Sequence, residues 1–334
     1  MFATRLPPRR LELLGLAGVC LAAFVINAPG ALEAIYRTAA TRFANDLPPF
    51  PPLSASDVCL IVAPHPDDES LACAGLIQRA LARGASVFVL FVTNGDAFIL
   101  DAMLWLRRPV GPVDLLRLGK QRVSEAQSAA GHLGLDPANL RFLGFPDHGI
   151  NGVLRHRGDI PFRSPYTGRD RVPYTVETRD APFTRAAFVK ALAGVLDEVR
   201  PTIVLLPSPL DAHPDHQATA ATMRKLLAER DWLGRAWHYI IHGGAEWPLP
   251  KGLHPNLPLG RPPRGRGLPW HALELTKQEA LGKRSAIRMH HTQVWAMRRF
   301  LHAFVRRNEL FTPDPYPARL PFRAPWARAL KAQG

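Results

Sequence analysis

Two short runs, CLIVA at 59–63 and TIVLL at 202–206, carry no charged residue and read as continuously apolar. A strand with one wet face alternates polar and apolar positions, so strands of this kind have both faces covered, and helices are the usual cover. The surrounding chain fits that demand. Candidate strands Val58–Ala63, Ser86–Val92, Leu140–Leu143, Thr202–Leu206 and Trp237–Ile241 alternate with candidate helices Leu71–Ala82, Gly119–Leu133, Thr184–Val199, Gln217–Glu229, Lys277–Met289 and Trp295–Arg307. The pattern predicts a doubly wound α/β domain on a mostly parallel sheet, spanning about 57–312. Two longer stretches interrupt it, Asp96–Leu118 with FILDAMLWLRRP and the polar, arginine-rich Asn151–Pro182. No internal repeat is present, and a Pro/Arg-rich tail (313–334) closes the chain.

Two motifs directly follow two of these strands. Pro64-His65-Pro66-Asp67-Asp68-Glu69 comes after the first, and Pro207-Ser208-Pro209-Leu210-Asp211-Ala212-His213-Pro214-Asp215-His216 after the fourth. Both run into a helix. Sites in open α/β sheets form at the carboxyl ends of strands, so the two motifs are expected to meet across one crevice. His65 and Asp68 stand three apart, as do His213 and His216, and one helical turn brings such pairs to one side. Two histidines and one carboxylate can hold zinc with positions left open for water, and the same set suits iron(II). A further carboxylate can take a proton from water, and a further histidine can steady an oxyanion or protonate a leaving amine. Asp67 or Asp215 alone would be an ordinary helix cap. Two acid-plus-histidine motifs at equivalent strand ends are hard to explain as caps.

PHPDDE followed by HPDH about 150 residues later resembles the PIG-L/LmbE-like family of deacetylases, over roughly Asp57 to Phe311. The resemblance implies a Rossmann-like three-layer α/β/α sandwich and removal of acetyl groups from N-acetylglucosaminyl compounds. It implies His65, Asp68 and His216 as metal ligands and Asp67 as the general base. It further implies His213 as the group that stabilises the tetrahedral intermediate, with Asp215 as its orienting carboxylate. Arg122 in RVSEA resembles the family's substrate-binding arginine, and Asp147 in GFPDHG the aspartate that contacts sugar hydroxyls. Zinc is the expected cofactor, with iron(II) as the alternative, and an N-acetylated amino sugar the expected substrate. The 96–118 and 151–182 stretches depart from the minimal pattern and are expected to shape the cleft. An amidase acting on a non-sugar amide or thiol conjugate, and a non-catalytic sugar- or envelope-binding protein, are the rival readings.

Ahead of the domain, Leu13 to Leu32 form a run of 20 residues without a charge, flanked by Glu12 and Glu33 and preceded by Arg5, Arg9 and Arg10. The length suits a single membrane-spanning helix, and the positive-inside rule then places the catalytic part outside the cytoplasm, in the periplasm. A cleaved signal with Ala28-Pro29-Gly30 at its end is the alternative, giving a secreted protein. In this reading residues 1–46 are the basic segment and anchor, and 47–56, with LPPFPPL, a stiff linker. The net charge of +14 raises nucleic acid as a partner, but no basic helix with interleaved aromatics and no nucleic-acid-binding motif accompanies it, so none is expected. Cys20, Cys59 and Cys73 sit in or beside apolar segments and read as small apolar residues.

Overall fold

Each expected strand forms. The computed structural model describes residues 15–21, 29–156, 160–173 and 178–316. Within them, β1 (Val58–Ala63), β2 (Ser86–Thr93), β3 (Leu140–Phe145), β4 (Ile203–Pro207) and β5 (Ala236–Tyr239) stand in the order β3-β2-β1-β4-β5, parallel throughout. The helices are α1 (Pro29–Asn45), α2 (Asp68–Ala72), α3 (Ala74–Ala82), α4 (Ile99–Leu106), α5 (Pro112–His132), α6 (Ile150–Arg155), α7 (Arg185–Val199), α8 (Pro214–Ala228), α9 (Lys277–Met289) and α10 (His291–His302).

The apolar character of β1 is explained by where its residues go. Cys59, Ile61 and Ala63 join one core with residues of α3, α5 and α9, whereas Leu60 and Val62 join a second with residues of α6, α7 and α8. Both faces of the sheet are therefore roofed by helices, giving three layers. Leu60, Ile61 and Val62 are fully buried, and each such side chain contributes about 1.5–3 kcal/mol relative to exposure.

Two strands lie beyond the sequence reading. β7 (Asn308–Pro313) runs antiparallel to β5, and β6 (His271–Glu274) antiparallel to β7, so the described residues form a seven-stranded mixed sheet. NELFTP forms a buried strand despite its polar residues because tertiary partners satisfy them. Glu309 accepts from Gly75 N (2.8 Å), Leu76 N (2.9 Å) and Lys283 Nζ (2.7 Å), and Asn308 Oδ1 accepts from Leu259 N (2.6 Å). The same carboxylate explains why the expected helix 71–82 is split. The chain leaves helical geometry at Cys73 (φ −124°, ψ 5°), and Glu309 receives free amides at the start of α3. Leu47–Leu53 lies along β6, where Phe50 N donates to Ala272 O and the Phe50 ring packs on Trp237 and Phe311.

The membrane-spanning helix, and with it the extracytoplasmic placement, must be corrected. Among the described residues no helix is long and apolar enough to cross a membrane. Of the 13–32 run, residues 15–21 are helical, and 13–14 and 22–28 lie outside the described residues. A separate helix, α1, begins at Pro29, a residue that suits a first turn because its missing N–H would be unsatisfied there. α1 carries Glu33, Arg37 and Arg42, and its last turns pack Ala40, Phe43 and Ala44 against the domain. The expected span therefore has no counterpart among the described helices, and the residues that follow it dock on protein through Ala40, Phe43 and Ala44. The tail from 317 onward also lies outside the described residues.

Candidate active site

After β1 the chain turns to one side of the sheet, and after β4 to the other. The carboxyl ends of these adjacent strands open on a single crevice. The turn 64–67 and the start of α2 bring His65, Asp67 and Asp68 there; the start of α8 brings His213, Asp215 and His216. His65 Nδ1 lies 3.2 Å from His216 Nε2 and 3.5 Å from Asp68 Oδ2, and His216 Nε2 lies 3.3 Å from the same carboxylate oxygen. A tetrahedral ion with bonds of about 2.0–2.1 Å has donor–donor edges of about 3.3–3.4 Å. The triangle therefore fits a zinc-sized ion and leaves a fourth vertex clear of these three residues.

The next ring of carboxylates holds these donors in place. His216 Nδ1 faces Asp211 Oδ2 at 3.3 Å, and Asp211 also accepts the backbone amides of His213, Ile241 and His242. His65 Nε2 lies 3.1 Å from Asp147 Oδ1 and 3.4 Å from Asp215 Oδ2. Burial alone would discharge both rings. Asp147, with Asp215 and Asp68, instead holds His65 well above its ordinary pKa, and Asp68 and Asp211 hold His216 at about 10. The crevice is strongly anionic, as a cation site must be. Other donors also cluster there: His213 lies with His65 and His216, and His242 with Asp211 and His216. The carboxylates Asp211, Asp147 and Asp215 are already occupied by backbone amides, which suits them to support rather than ligation.

Asp67 is buried beside Asp68, and its backbone adopts φ 141°, outside the regions an L-residue prefers. Glu69 braces that turn: its Oε2 accepts Asp67 N (3.0 Å), and its Oε1 accepts Ser70 Oγ (2.6 Å) and faces His290 Nε2 (3.2 Å). Gln293 Nε2 donates to Asp67 Oδ2. Burial, then the neighbouring Asp68, raises the Asp67 carboxyl to about 7, in the range useful for a general base.

Three expected roles meet a different geometry. Asp215 does not orient His213 through its side chain; its carboxylate accepts His148 N (2.7 Å) and Ile150 N (3.1 Å) and faces His65. His213 Nδ1 instead accepts Asp215 N (3.2 Å) at the N-terminus of α8, which leaves the ring proton on Nε2. Burial and the nearby His65 and His216 push the His213 pKa far down, so it is a neutral N–H donor and not an imidazolium. Asp147 is buried, accepting Ala97 N (2.9 Å) and His148 N (2.8 Å) besides facing His65, so it is not displayed to solvent. Arg122, also buried, donates to Gly95 O (2.7 Å) and Pro66 O (3.4 Å), tying the loop after β2 to the turn after β1. Asp211, Glu69, His290 and Gln293 escaped the sequence reading. Asp211 stood inside the second motif and could have been found there; HHTQ at 290–293 offers no recognisable metal or catalytic spacing.

A doubly wound α/β domain with a buried histidine–carboxylate cluster that could hold a cation at its switch point is the class defined by this fold and crevice. The chain belongs to the PIG-L family, GlcNAc-PI de-N-acetylase, whose profile it matches over residues 60–227. It is similar to the 1D-myo-inositol 2-acetamido-2-deoxy-α-D-glucopyranoside deacetylase of Mycolicibacterium vanbaalenii, 31% identical over 175 residues, 52% of this chain and 55% of that protein. The enzyme of the same name from Saccharomonospora viridis is 34% identical over 182 residues, 49% of this chain and 58% of that protein. The chain thus spans just over half the length of these curated relatives. In fold it resembles the crystal structure of the antimicrobial A40926 pseudoaglycone deacetylase, with a TM-score of 0.50 at 19% identity over 77% of this chain and 96% of that one.

Proposed function

We propose that the protein is a metal-dependent hydrolase that removes the N-acetyl group from an N-acetylglucosamine-type sugar, in a glycan, glycolipid or glycoside. The triangle of His65, Asp68 and His216 donors, with the buried carboxylate of Asp67 beside it, carries this reading. The substrate class is taken from the relatives' names. His65, Asp68 and His216 would hold the ion, with zinc as the proposed metal and iron(II) suited to the same donors. When bound, the ion supplies a Lewis acid that polarises the amide carbonyl and makes water acidic near neutral pH.

The chain's own groups do the rest. Asp67 accepts a proton from the attacking water as its oxygen adds to the acetamide carbonyl carbon. Nε2–H of His213 donates to the carbonyl oxygen as negative charge develops there, which a neutral imidazole can do without a carboxylate partner. The proton held on Asp67 passes to the sugar nitrogen as the C–N bond breaks, giving acetate and a free amine. Asp147 and Asp215 keep His65 oriented, and Asp211 does the same for His216. Arg122 fixes the loop that forms one wall.

Elemental analysis of the purified chain and of His216→Ala, with acetate release from N-acetylglucosamine-containing glycans, tests the reading. One ion per chain, lost in the variant together with acetate release, is the expected result. Absence of bound metal in both proteins after reconstitution with zinc or iron(II) overturns it.

A further inference from the structure

We infer that Gln293 is the positioning residue of the proposed base: its side-chain amide pins one carboxylate oxygen of Asp67 so that the other is presented to the attacking water. The inference rests on the reading of Asp67 as that base. Gln293 is fully buried in the first turn of α10, and its Nε2 donates to Asp67 Oδ2, across 226 positions of sequence. The amide orientation follows from charge. A carboxylate that must accept a proton repels an amide oxygen and attracts the NH2 group.

Gln293 is itself held rigidly. One residue earlier, Thr292 donates through both its backbone N (3.1 Å) and its Oγ1 (2.8 Å) to Glu125 on α5. Two residues before that, His290 makes the corner between α9 and α10 and contacts Glu69 and Ser70 on α2. Glu69 in turn accepts Asp67 N. The four residues 290–293 therefore grip the Asp67 turn twice, through its backbone by way of Glu69 and through its carboxylate directly. Gln293 Oε1 has no hydrogen-bond partner although it is buried, a cost to folding that a purely structural amide would not be placed to incur. Among the described residues, Asp67 Oδ1 accepts no hydrogen bond, so it is the oxygen left for proton transfer. Residues 290–293 lie outside residues 60–227, the part matched to the family. The carboxyl-terminal part of the chain thus completes the site that the two motifs begin.

Gln293→Met keeps the volume and removes the donor; Gln293→Glu keeps the shape and sets carboxylate against carboxylate. On an acetylated sugar that the parent chain turns over, both should lower kcat by about 10–100-fold, the scale of a misplaced reacting group. KM should stay within about twofold, and bound metal per chain should be unchanged. A thermal double-mutant cycle of Gln293→Met with Asp67→Ala gives a second readout that needs no activity. Non-additive melting temperatures, with the double variant melting no lower than the more damaged single one, are expected. Parent-level kcat in Gln293→Met, or additive melting temperatures, overturns the inference. If the parent chain releases acetate from no acetylated sugar, the deacetylase reading fails, and the cycle still decides whether Gln293 and Asp67 are coupled.

Discussion

Two residues concentrate the strain and charge of the crevice. Asp67 is held at φ 141° by Glu69 and hydrogen-bonded by Gln293, so in the proposed reaction its carboxylate is pre-placed and does not have to be ordered. Asp67→Asn preserves the side chain's shape and removes the base. Acetate release should fall by about 10²–10⁴-fold while metal content stays at the parent level, and an active Asp67→Asn protein rules out Asp67 as base. Gly95 is the second constraint. It has φ +68°, and a Cβ there would stand 2.2 Å from Arg122 Nη1. Gly95→Ala must therefore displace a buried guanidinium as well as strain the backbone, and should cost about 1–3 kcal/mol in denaturant unfolding.

At the scale of elements, the helix ends decide how the site is assembled. α8 starts with Pro214 in its first turn and His213 at its cap, which is why His213 presents Nε2 to the crevice and His216 follows one turn later. α7 ends on Arg200 in the left-handed region (φ 48°), a position that favours glycine. Arg200→Gly should raise stability by about 0.5–1 kcal/mol without changing acetate release, as read by the shift in denaturation midpoint at constant slope. α9 and α10 read as two helices in the sequence, the first ending at Met289 as observed, but the immediate restart after His290 did not. That break sets the register of the Asp67 clamp, and the expected start of the last helix at Trp295 fell one turn late.

Across the whole molecule, the mixed edge of the sheet is tied to the helical layer by one carboxylate. Asp314, just past β7, takes a hydrogen bond from Arg224 on α8 and faces His238 Nε2 on β5 at 2.9 Å. Burial opposes ionisation, but His238 and Arg224 hold its pKa at about 2. A folded-state value below the unfolded one, about 3.9, means that the contribution is complete above the unfolded pKa and fades as pH falls towards 2. Asp314→Asn should therefore cost about 1–2 kcal/mol at pH 7, less than the full shift implies because the group is partly solvated. Unfolding measured from pH 7 down to pH 3 should show parent and variant converging below about pH 4. A gap that persists unchanged to pH 3 would remove the ionic explanation.

The sequence by itself determined the parallel core of the sheet and the two motifs. Continuous apolar runs can be buried only between helical layers, and strand–turn–helix motifs place their polar residues at strand ends whatever the rest of the chain does. Pattern could not go further where a residue's state depends on a distant partner. Glu309 and Asn308 can be buried in a strand only because Gly75, Leu76, Lys283 and Leu259 satisfy them. The run at 13–32 looked like a membrane span, yet no described helix is long and apolar enough to cross a membrane. Asp215 and Asp147 have the chemistry expected of them, yet tertiary contacts direct them to His65. The clamp from His290 to Gln293 was invisible for the same reason: hydrogen bonds between groups more than two hundred positions apart leave no local periodicity, and only folding brings donor and acceptor within reach.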